Sequence, residues 1–317
     1  MQSKYVWVSG KLIDYGEATL HFLTPGLHYG LAAFEGIRCY KTARGPAIFR
    51  LREHIERLIG SCRVLGWRDL PFNAAQLMEG CRQTVQANGF EECYIRPLAY
   101  QGGGGWNLCT DGGKPFFGIA VWEWSGYLGD EAAENGVRAN VSSYTRHHPN
   151  VVMTKAKISG NYPNSVLAKT ESVRLGFDEA IMLDPQGMVA ECTGENIFAV
   201  KNGRVFTPPD VNILAGITRD SLIQLARDLG YSVSAEPMSR DQLYVADEVF
   251  VCGTAAEVIG LREIDFRAIG SGRTGPVTRA LQQAYQAAVR GNHPRSSAWL
   301  TRVENELRME NELRMAV

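Results

Sequence analysis

The chain has 317 residues, of which 45% are hydrophobic and 21% charged, with a formal net charge of −1. That length is enough for two domains, and a single core of that size would be at the upper limit; the composition is that of an ordinary soluble globular protein. The near-neutral charge argues against nucleic acid or an anionic membrane as the main partner, and no apolar run reaches the roughly 20 residues of a membrane span.

The segment Met1–Trp7 lacks the apolar stretch of a signal peptide. Seven cysteines (Cys39, Cys62, Cys81, Cys93, Cys109, Cys192 and Cys252) are scattered, and none forms a C-x-x-C pair. Reduced thiols in a cytoplasmic protein fit this usage. The six histidines show no ligand spacing. His147 and His148 are adjacent and cannot share a helix face, so they read as loop residues and no metal site is expected.

In chain order, Tyr5–Val8 and Lys11–Ile13 flank Ser9-Gly10 as a hairpin. Gly36–Tyr40 and Ala47–Arg50 read as strands around Gly45-Pro46. Ile55, Leu58, Ile59, Cys62 and Leu65 recur at helical spacing and predict a helix over Leu51–Leu65. A second helix covers Asn73–Asn88 and stops at Gly89. Glu92–Tyr100 and Phe116–Trp124 read as strands joined by a glycine-rich loop. Ser125–Gly136 lacks apolar periodicity and serves as an interdomain connector. The second half opens with a strand over Val137–Tyr144 and a helix from Tyr162 to Leu175, stopped by Gly176. Strands at Glu179–Leu183 and Met188–Glu191 meet at Pro185-Gln186-Gly187. Thr218 is placed to cap a helix over Arg219–Leu229, and Ser239 with Gln242 forms a capping box. Glu248–Cys252 is a strand and Pro276–Val289 a last helix. Glu304–Met309 and Glu310–Met315 are the same six residues in tandem, and the chain after Pro294 reads as an extension without a fold. The expected division is therefore a small N-terminal domain over 1–124, the connector over 125–136, a larger domain over 137–293 and the extension over 294–317.

Four motifs in the second half carry chemistry. Lys157-Ile158-Ser159-Gly160-Asn161-Tyr162 is followed by Glu191-Cys192-Thr193-Gly194-Glu195-Asn196, then Gly216-Ile217-Thr218, then Gly253-Thr254-Ala255-Ala256-Glu257. An amine, a phenol, a carboxylate and phosphate-sized backbone turns are the groups that pyridoxal phosphate needs. By composition Lys155 competes with Lys157, and Glu195 with Glu191. Two glycine-rich stretches are decoys. Gly270–Gly275 fits G-x-G-x-x-G, but Pro276 and a final helix follow it instead of a βαβ unit with its acidic residue. Gly102–Gly105 lacks the Gly-Lys-Ser/Thr ending of a P-loop.

These motifs, together with Leu-His-Tyr-Gly, Phe-Glu-Gly-Ile-Arg-Cys-Tyr, R-x-x-E-H-x-x-R-L and Tyr-Ile-Arg-Pro in the N-terminal half, resemble the branched-chain aminotransferases over about residues 5 to 290. The resemblance implies a mixed α/β chain: a two-domain, fold-type IV pyridoxal-phosphate enzyme with the cofactor between the domains. It selects Lys157 over Lys155 as the Schiff-base lysine and Glu191 over Glu195 as partner of the pyridine nitrogen. Tyr162 is then the partner of the cofactor phenolate oxygen. Arg57, Gly216, Ile217, Thr218 and Thr254 are implied around the phosphate. Tyr94 with Thr254-Ala255 is implied at the substrate α-carboxylate, and Arg96 with Tyr29 and Tyr127 at the distal carboxylate of glutamate. Phe34, Gly36, Trp124, Tyr127 and Ala256 are implied as the apolar wall. Leu108 is implied in a loop that in the family closes a partner subunit's pocket, and this loop departs from the family pattern.

The activity implied is ping-pong transamination of leucine, isoleucine and valine with 2-oxoglutarate, giving 2-oxo acids and glutamate, by a cytoplasmic homodimer or higher homo-oligomer. A D-amino-acid or amine transaminase, or aminodeoxychorismate lyase, is the alternative on the same fold. A non-catalytic pyridoxal-phosphate carrier is opposed by Lys157, Tyr162 and Glu191 occurring together.

Overall fold

The computed structural model describes residues 3–103, 108–124 and 130–304. Tyr127, most of the glycine-rich loop's tip, residues 125–129 of the expected connector and nearly all of the tandem repeat lie outside them. The elements begin with β1 (Tyr5–Val8), β2 (Lys11–Asp14), α1 (Pro25–Tyr29), β3 (Ala32–Phe34), β4 (Ile37–Thr42) and β5 (Gly45–Phe49). Next come α2 (Leu51–Val64), α3 (Ala74–Asn88), β6 (Cys93–Gly103), β7 (Lys114–Trp122), α4 (Asp130–Asn135) and β8 (Val137–Val141). Then follow α5 (Tyr162–Arg174), β9 (Glu179–Leu183), β10 (Val189–Cys192), β11 (Asn196–Lys201), β12 (Arg204–Thr207) and α6 (Ile217–Asp228). The chain closes with β13 (Val233–Ala235), α7 (Arg240–Tyr244), β14 (Glu248–Gly253), β15 (Glu257–Ile264), β16 (Arg267–Ala268), α8 (Pro276–Val289), α9 (Ser296–Trp299) and β17 (Leu300–Arg302).

The chain forms two compact units, and each is assembled from separated segments. The first holds residues 1–124, 156–160 and 287–317, and the second holds 125–155 and 161–286. In the first unit the described strands run β17-β5-β4-β6-β7-β1-β2, with β3 also on β6. The β1–β2 hairpin pairs Val8 with Lys11 across Ser9 and Gly10, whose φ angles of 45° and 98° suit a tight two-residue turn. The β4–β5 turn lies two residues earlier than expected: Gly45 pairs with Thr42, and Gly45-Pro46 begin the strand. Helix α2 buries Leu51, Ile55, Leu58 and Cys62 against Ile37, Ile48 and Ile95 of the sheet. Helix α3 starts at a capping box between Asn73 and Gln76 and ends at Gly89, whose φ is 68°.

Residues 295–304 are part of this fold, which corrects the expected extension over those positions. Strand β17 pairs Leu300, Thr301 and Arg302 with Phe49, Ile48 and Ala47. The Arg50 N–H donates to the Trp299 carbonyl at 2.7 Å, and Arg82 donates to the carbonyls of Arg302 and Val303, each at 2.9 Å. A four-residue helix and a three-residue strand carry no periodicity of their own. They are held by partners more than two hundred residues earlier, which sequence spacing cannot reveal.

In the second unit the described strands run β10-β9-β8-β15-β14-β11-β12-β13, with β16 on β15. Pairing is parallel for β8–β9, β8–β15 and β12–β13 and antiparallel elsewhere. Its core includes Ile181, Val189, Ile197, Leu243, Val251 and Ile259. The last six residues before Gly136, within the expected connector, form α4. Helix α6 begins at Ile217 with Gly216 as its N-cap, so Thr218 lies inside the helix and is not its cap. Gly270 and Gly272 turn in a loop before α8, as expected of a stretch that is no dinucleotide fingerprint.

Candidate active site

The first unit gathers several of the expected residues on three chain segments. Lys157 lies beside β3: the Phe34 N–H donates to the Lys157 carbonyl at 3.0 Å, and Ile158 bridges Ala33. The Lys157 N–H donates to Ser61 Oγ at 2.9 Å, and Ser61 Oγ donates to the Arg57 carbonyl at 3.0 Å. The glycine of K-x-x-G-N-Y packs on the glycine of L-H-Y-G. Gly160 N donates to the Gly30 carbonyl at 3.2 Å, and a Cβ on Gly30 would lie 2.9 Å from Gly160 Cα. Lys157 Nζ lies 5.0 Å from the centre of the Phe34 ring. Lys155 belongs to the second unit and sits at the surface, 3.4 Å from Asp210. The backbone thus separates two lysines that composition could not.

Beside Glu53, which pairs with Arg50, α2 carries Arg57. It is held by Glu35, the acid of F-E-G, through Nε to Oε1 at 2.6 Å and Nη2 to Oε2 at 2.8 Å. His54 Nδ1 lies 2.7 Å from Glu35 Oε2. Glu35 has no solvent exposure, and Arg57 has 15%. Burial alone raises the Glu35 carboxyl, but Arg57 and His54 outweigh it and hold the group well below the usual carboxylate range. Burial pushes the His54 imidazole down, with the Glu35 carboxylate opposing.

Beside this cluster, Tyr94 stacks on Trp122 at 4.9 Å and meets Trp124 at 5.1 Å. Gly36 faces it closely: a Cβ there would overlap the Tyr94 hydroxyl and come within 2.8 Å of its Cζ. The Arg96 guanidinium sits over Phe34, Tyr94 and Trp122 at 4.7, 5.5 and 5.7 Å. Its buried Nε has no hydrogen-bond partner among the described residues. Tyr29 and Leu108 stand exposed, Leu108 at 81% and with a φ of 55°.

The second unit gathers the remaining residues. Glu191 is buried at the end of β10 and accepts from the Leu214 N–H at 3.2 Å and from Asn196 Nδ2 at 3.2 Å. Arg146 Nε lies 2.9 Å from Glu191 Oε1, and both are nearly buried. Glu195 is buried too, but turns back to accept from the Gly194 N–H. Gly216 is required where it stands, because a Cβ would overlap Asn196 Oδ1. Gly216 supplies no capping side chain to the first N–H groups of α6, at Ile217 and Thr218. Thr254, Ala255 and Ala256 form the β14–β15 turn, and Gly253 packs its α-carbon side against the Gly194 carbonyl, where a Cβ would be 3.2 Å away. Tyr162 opens α5 and is partly buried.

Sequence reasoning missed Glu35, His54, Ser61, Arg146 and Asn196. Four of these sit within or beside motifs already singled out. His54, Arg57 and Ser61 also recur at i, i+3 and i+7, a polar stripe beside the apolar one on α2. A cavity of about 890 Å³ in the first unit, lined by Arg52, Met78, Arg82, His293 and Arg302, contains none of the expected site residues. Among the described residues no cluster of His, Cys, Asp and Glu could hold a metal.

Residues 32–264 match the family described as amino-transferase class IV, and the chain belongs to that family. Within it the chain is 44% identical over 299 residues to the branched-chain-amino-acid aminotransferase of Pseudomonas aeruginosa, covering 94% of this chain and 97% of that protein. The crystal structure of the Escherichia coli branched-chain amino acid aminotransferase superposes with a TM-score of 0.93 at 42% identity, over 96% of this chain and all of the other. The branched-chain amino acid aminotransferase of Thermobaculum terrenum, in its PLP-form, superposes with a TM-score of 0.89 at 35% identity, over 96% of this chain and 99% of the other. The family is thus the branched-chain-amino-acid aminotransferases, of the fold-type IV architecture read from the motifs.

The donor set suits a phosphorylated pyridine aldehyde. The first unit holds an amine in a fixed backbone register and a partly buried guanidinium, and the second holds a helix start without a side-chain cap and a buried carboxylate.

Proposed function

We propose that the protein is a pyridoxal-phosphate-dependent transaminase that moves the amino group of leucine, isoleucine and valine to 2-oxoglutarate. The observation that carries this reading is Lys157, held by Ser61 and β3 in one unit, in a chain that also buries Glu191. When bound, pyridoxal phosphate supplies an electrophilic carbon for the amine and a ring that accepts electrons from the substrate Cα. Lys157 would hold it covalently and Glu191 would keep its ring nitrogen protonated, with Arg146 and Asn196 fixing that carboxylate. Tyr162 would donate to its phenolate oxygen. Arg57, the Ile217 and Thr218 N–H groups and Thr254 would take its phosphate.

For the substrate, Tyr94 and the Thr254-Ala255 turn would bind the α-carboxylate. Lys157 Nζ would take the proton from Cα and return one later, as base and then acid. Arg96 would receive the distal carboxylate of glutamate. With an aliphatic chain in its place, the guanidinium rests on the faces of Phe34, Tyr94 and Trp122, which offset the cost of an unpaired buried charge. Phe34, Gly36, Trp124, Tyr127 and Ala256 would form the apolar wall.

Tyr29 and Leu108 would act on a neighbouring subunit's pocket in a homodimer or larger homo-oligomer. The exposure of Leu20, Phe22, Leu23, Leu27 and Tyr29 in one short stretch supports such a surface. Seven unbridged cysteines support a reducing compartment, and we assign the protein to the cytoplasm.

The test is a half-reaction. Protein purified with pyridoxal phosphate receives L-leucine without a keto acid, and the visible cofactor band is followed. Loss of the band, restored by 2-oxoglutarate, is the expected result. A band that persists with L-leucine but is lost with D-alanine or a primary amine would overturn the substrate assignment and leave the cofactor reading intact.

A further inference from the structure

We infer that Glu35 is a positioning residue for the cofactor phosphate, acting through Arg57, and that His54 holds Glu35 in turn. The inference rests on the proposed role of Arg57 as a phosphate ligand. Helix α2 places His54, Arg57 and Ser61 on one stripe, at i, i+3 and i+7. Arg57 and Ser61 meet two different demands of the site. Ser61 receives the Lys157 N–H at 2.9 Å and returns a bond to the Arg57 carbonyl. The Arg57 side chain is fixed at its other end by two bonds to one carboxylate, at 2.6 and 2.8 Å.

A long arginine side chain has several rotatable bonds, and a bidentate carboxylate removes most of that freedom. Glu35 has little freedom of its own. It is fully buried, its second oxygen is engaged by His54 at 2.7 Å, and its own chain position is fixed by the Glu35 N–H bond to the Pro97 carbonyl at 2.9 Å. The result is a chain of contacts from the β6 backbone through Glu35 to the guanidinium. The neighbouring Phe34 N–H binds the Lys157 carbonyl, so the same two residues, Phe34 and Glu35, register both the amine and the phosphate arginine.

The charge balance sharpens the idea. Glu35 neutralises Arg57 before any anion arrives, so Arg57 contributes direction more than net charge. Replacing Glu35 by an uncharged residue would raise the local positive potential, yet the inference requires weaker phosphate binding, because the direction is lost. Attraction and aim therefore predict opposite signs.

The experiment compares the dissociation constants of pyridoxal phosphate and of pyridoxal, which lacks the phosphate, for the apo forms of wild type, Glu35→Gln and Arg57→Gln. Absorbance or fluorescence reads both without turnover. Glu35→Gln is expected to weaken pyridoxal phosphate roughly 10- to 100-fold, the scale on which a misaligned group is felt, while pyridoxal binding is unchanged. Equal weakening of both ligands by Glu35→Gln, or wild-type affinity for both, overturns the inference. Arg57→Gln separates the two claims. If it lowers phosphate-dependent affinity and Glu35→Gln does not, only the positioning role falls. If Arg57→Gln leaves the ratio of the two constants unchanged, the reading of Arg57 itself is what fails. Should Glu35→Gln not fold, Glu35→Asp retracts the carboxylate by one methylene and reads the same ratio.

Discussion

Gly36→Ala tests the packing that places the Tyr94 hydroxyl. The added Cβ would overlap that hydroxyl and lie 2.8 Å from Cζ and 3.4 Å from Cε1. Ordinary carbon contacts lie near 3.5 Å or beyond, so the phenol end of the ring must move by at least about 0.7 Å, and more to clear the hydroxyl. It has little room to do so, because the ring is stacked on Trp122 and backed by Trp124, and Tyr94 is only 7% exposed. Overpacking of this kind costs about 1–3 kcal/mol. A displaced carboxylate ligand is expected to lower kcat/KM for L-leucine roughly 100-fold. Urea unfolding and steady-state kinetics measure the two effects. The double variant Gly36→Ala/Tyr94→Phe removes the atom that clashes most, so its stability should exceed that of Gly36→Ala alone. The double-mutant cycle should be non-additive by about 0.5–2 kcal/mol. Wild-type kcat/KM in Gly36→Ala would refute the placement of Tyr94 at the substrate, and strict additivity would refute the clash itself.

Three further outcomes are expected. Lys157→Ala should abolish turnover while Lys155→Ala, which loses only a surface pair with Asp210, retains it; the half-reaction with L-leucine separates them. Trp299→Ala removes a buried ring that meets Phe49 at 5.7 Å and sits beneath Arg50, so chemical denaturation should show a loss of about 3–5 kcal/mol in the first unit; a change under about 1 kcal/mol would mean that the C-terminal strand contributes little. His147 is held down to about 4 by burial and by neighbouring Arg146. Its folded pKa lies below the unfolded value, so its stabilisation is present above about pH 6.5 and is lost as pH falls toward 4. His147→Gln should flatten the stability profile across that window by about 1–2 kcal/mol, allowing for solvent screening of a half-buried ring, and an unchanged slope would exclude His147 as its source.

Parts of this molecule were legible because their causes are local. The α2 and α3 boundaries follow from apolar spacing, a capping box and Gly89, and α8 begins and ends where Pro276 and the apolar pattern put it. Lys157, the proposed reactive lysine, was legible only as a member of a set of motifs. Nothing in Lys155-Ala156-Lys157 distinguishes its two amines until Phe34 and Ser61 bind the backbone of one of them. What stayed hidden is long-range. Glu35 reads as an ordinary acid between Phe34 and Gly36, since its partners lie 19 and 22 residues away on a helix face whose apolar stripe drew the attention. Arg146 reads as a loop cation until Glu191 is beside it. Strand β17 reads as a loose end until it meets β5. Periodicity reports which face of an element is buried, whereas ion pairs and edge strands depend on which other element arrives there. In this chain the side chains that hold Arg57 and Glu191 in place belong to that second kind, and their spacing became meaningful only once the sheets were assembled.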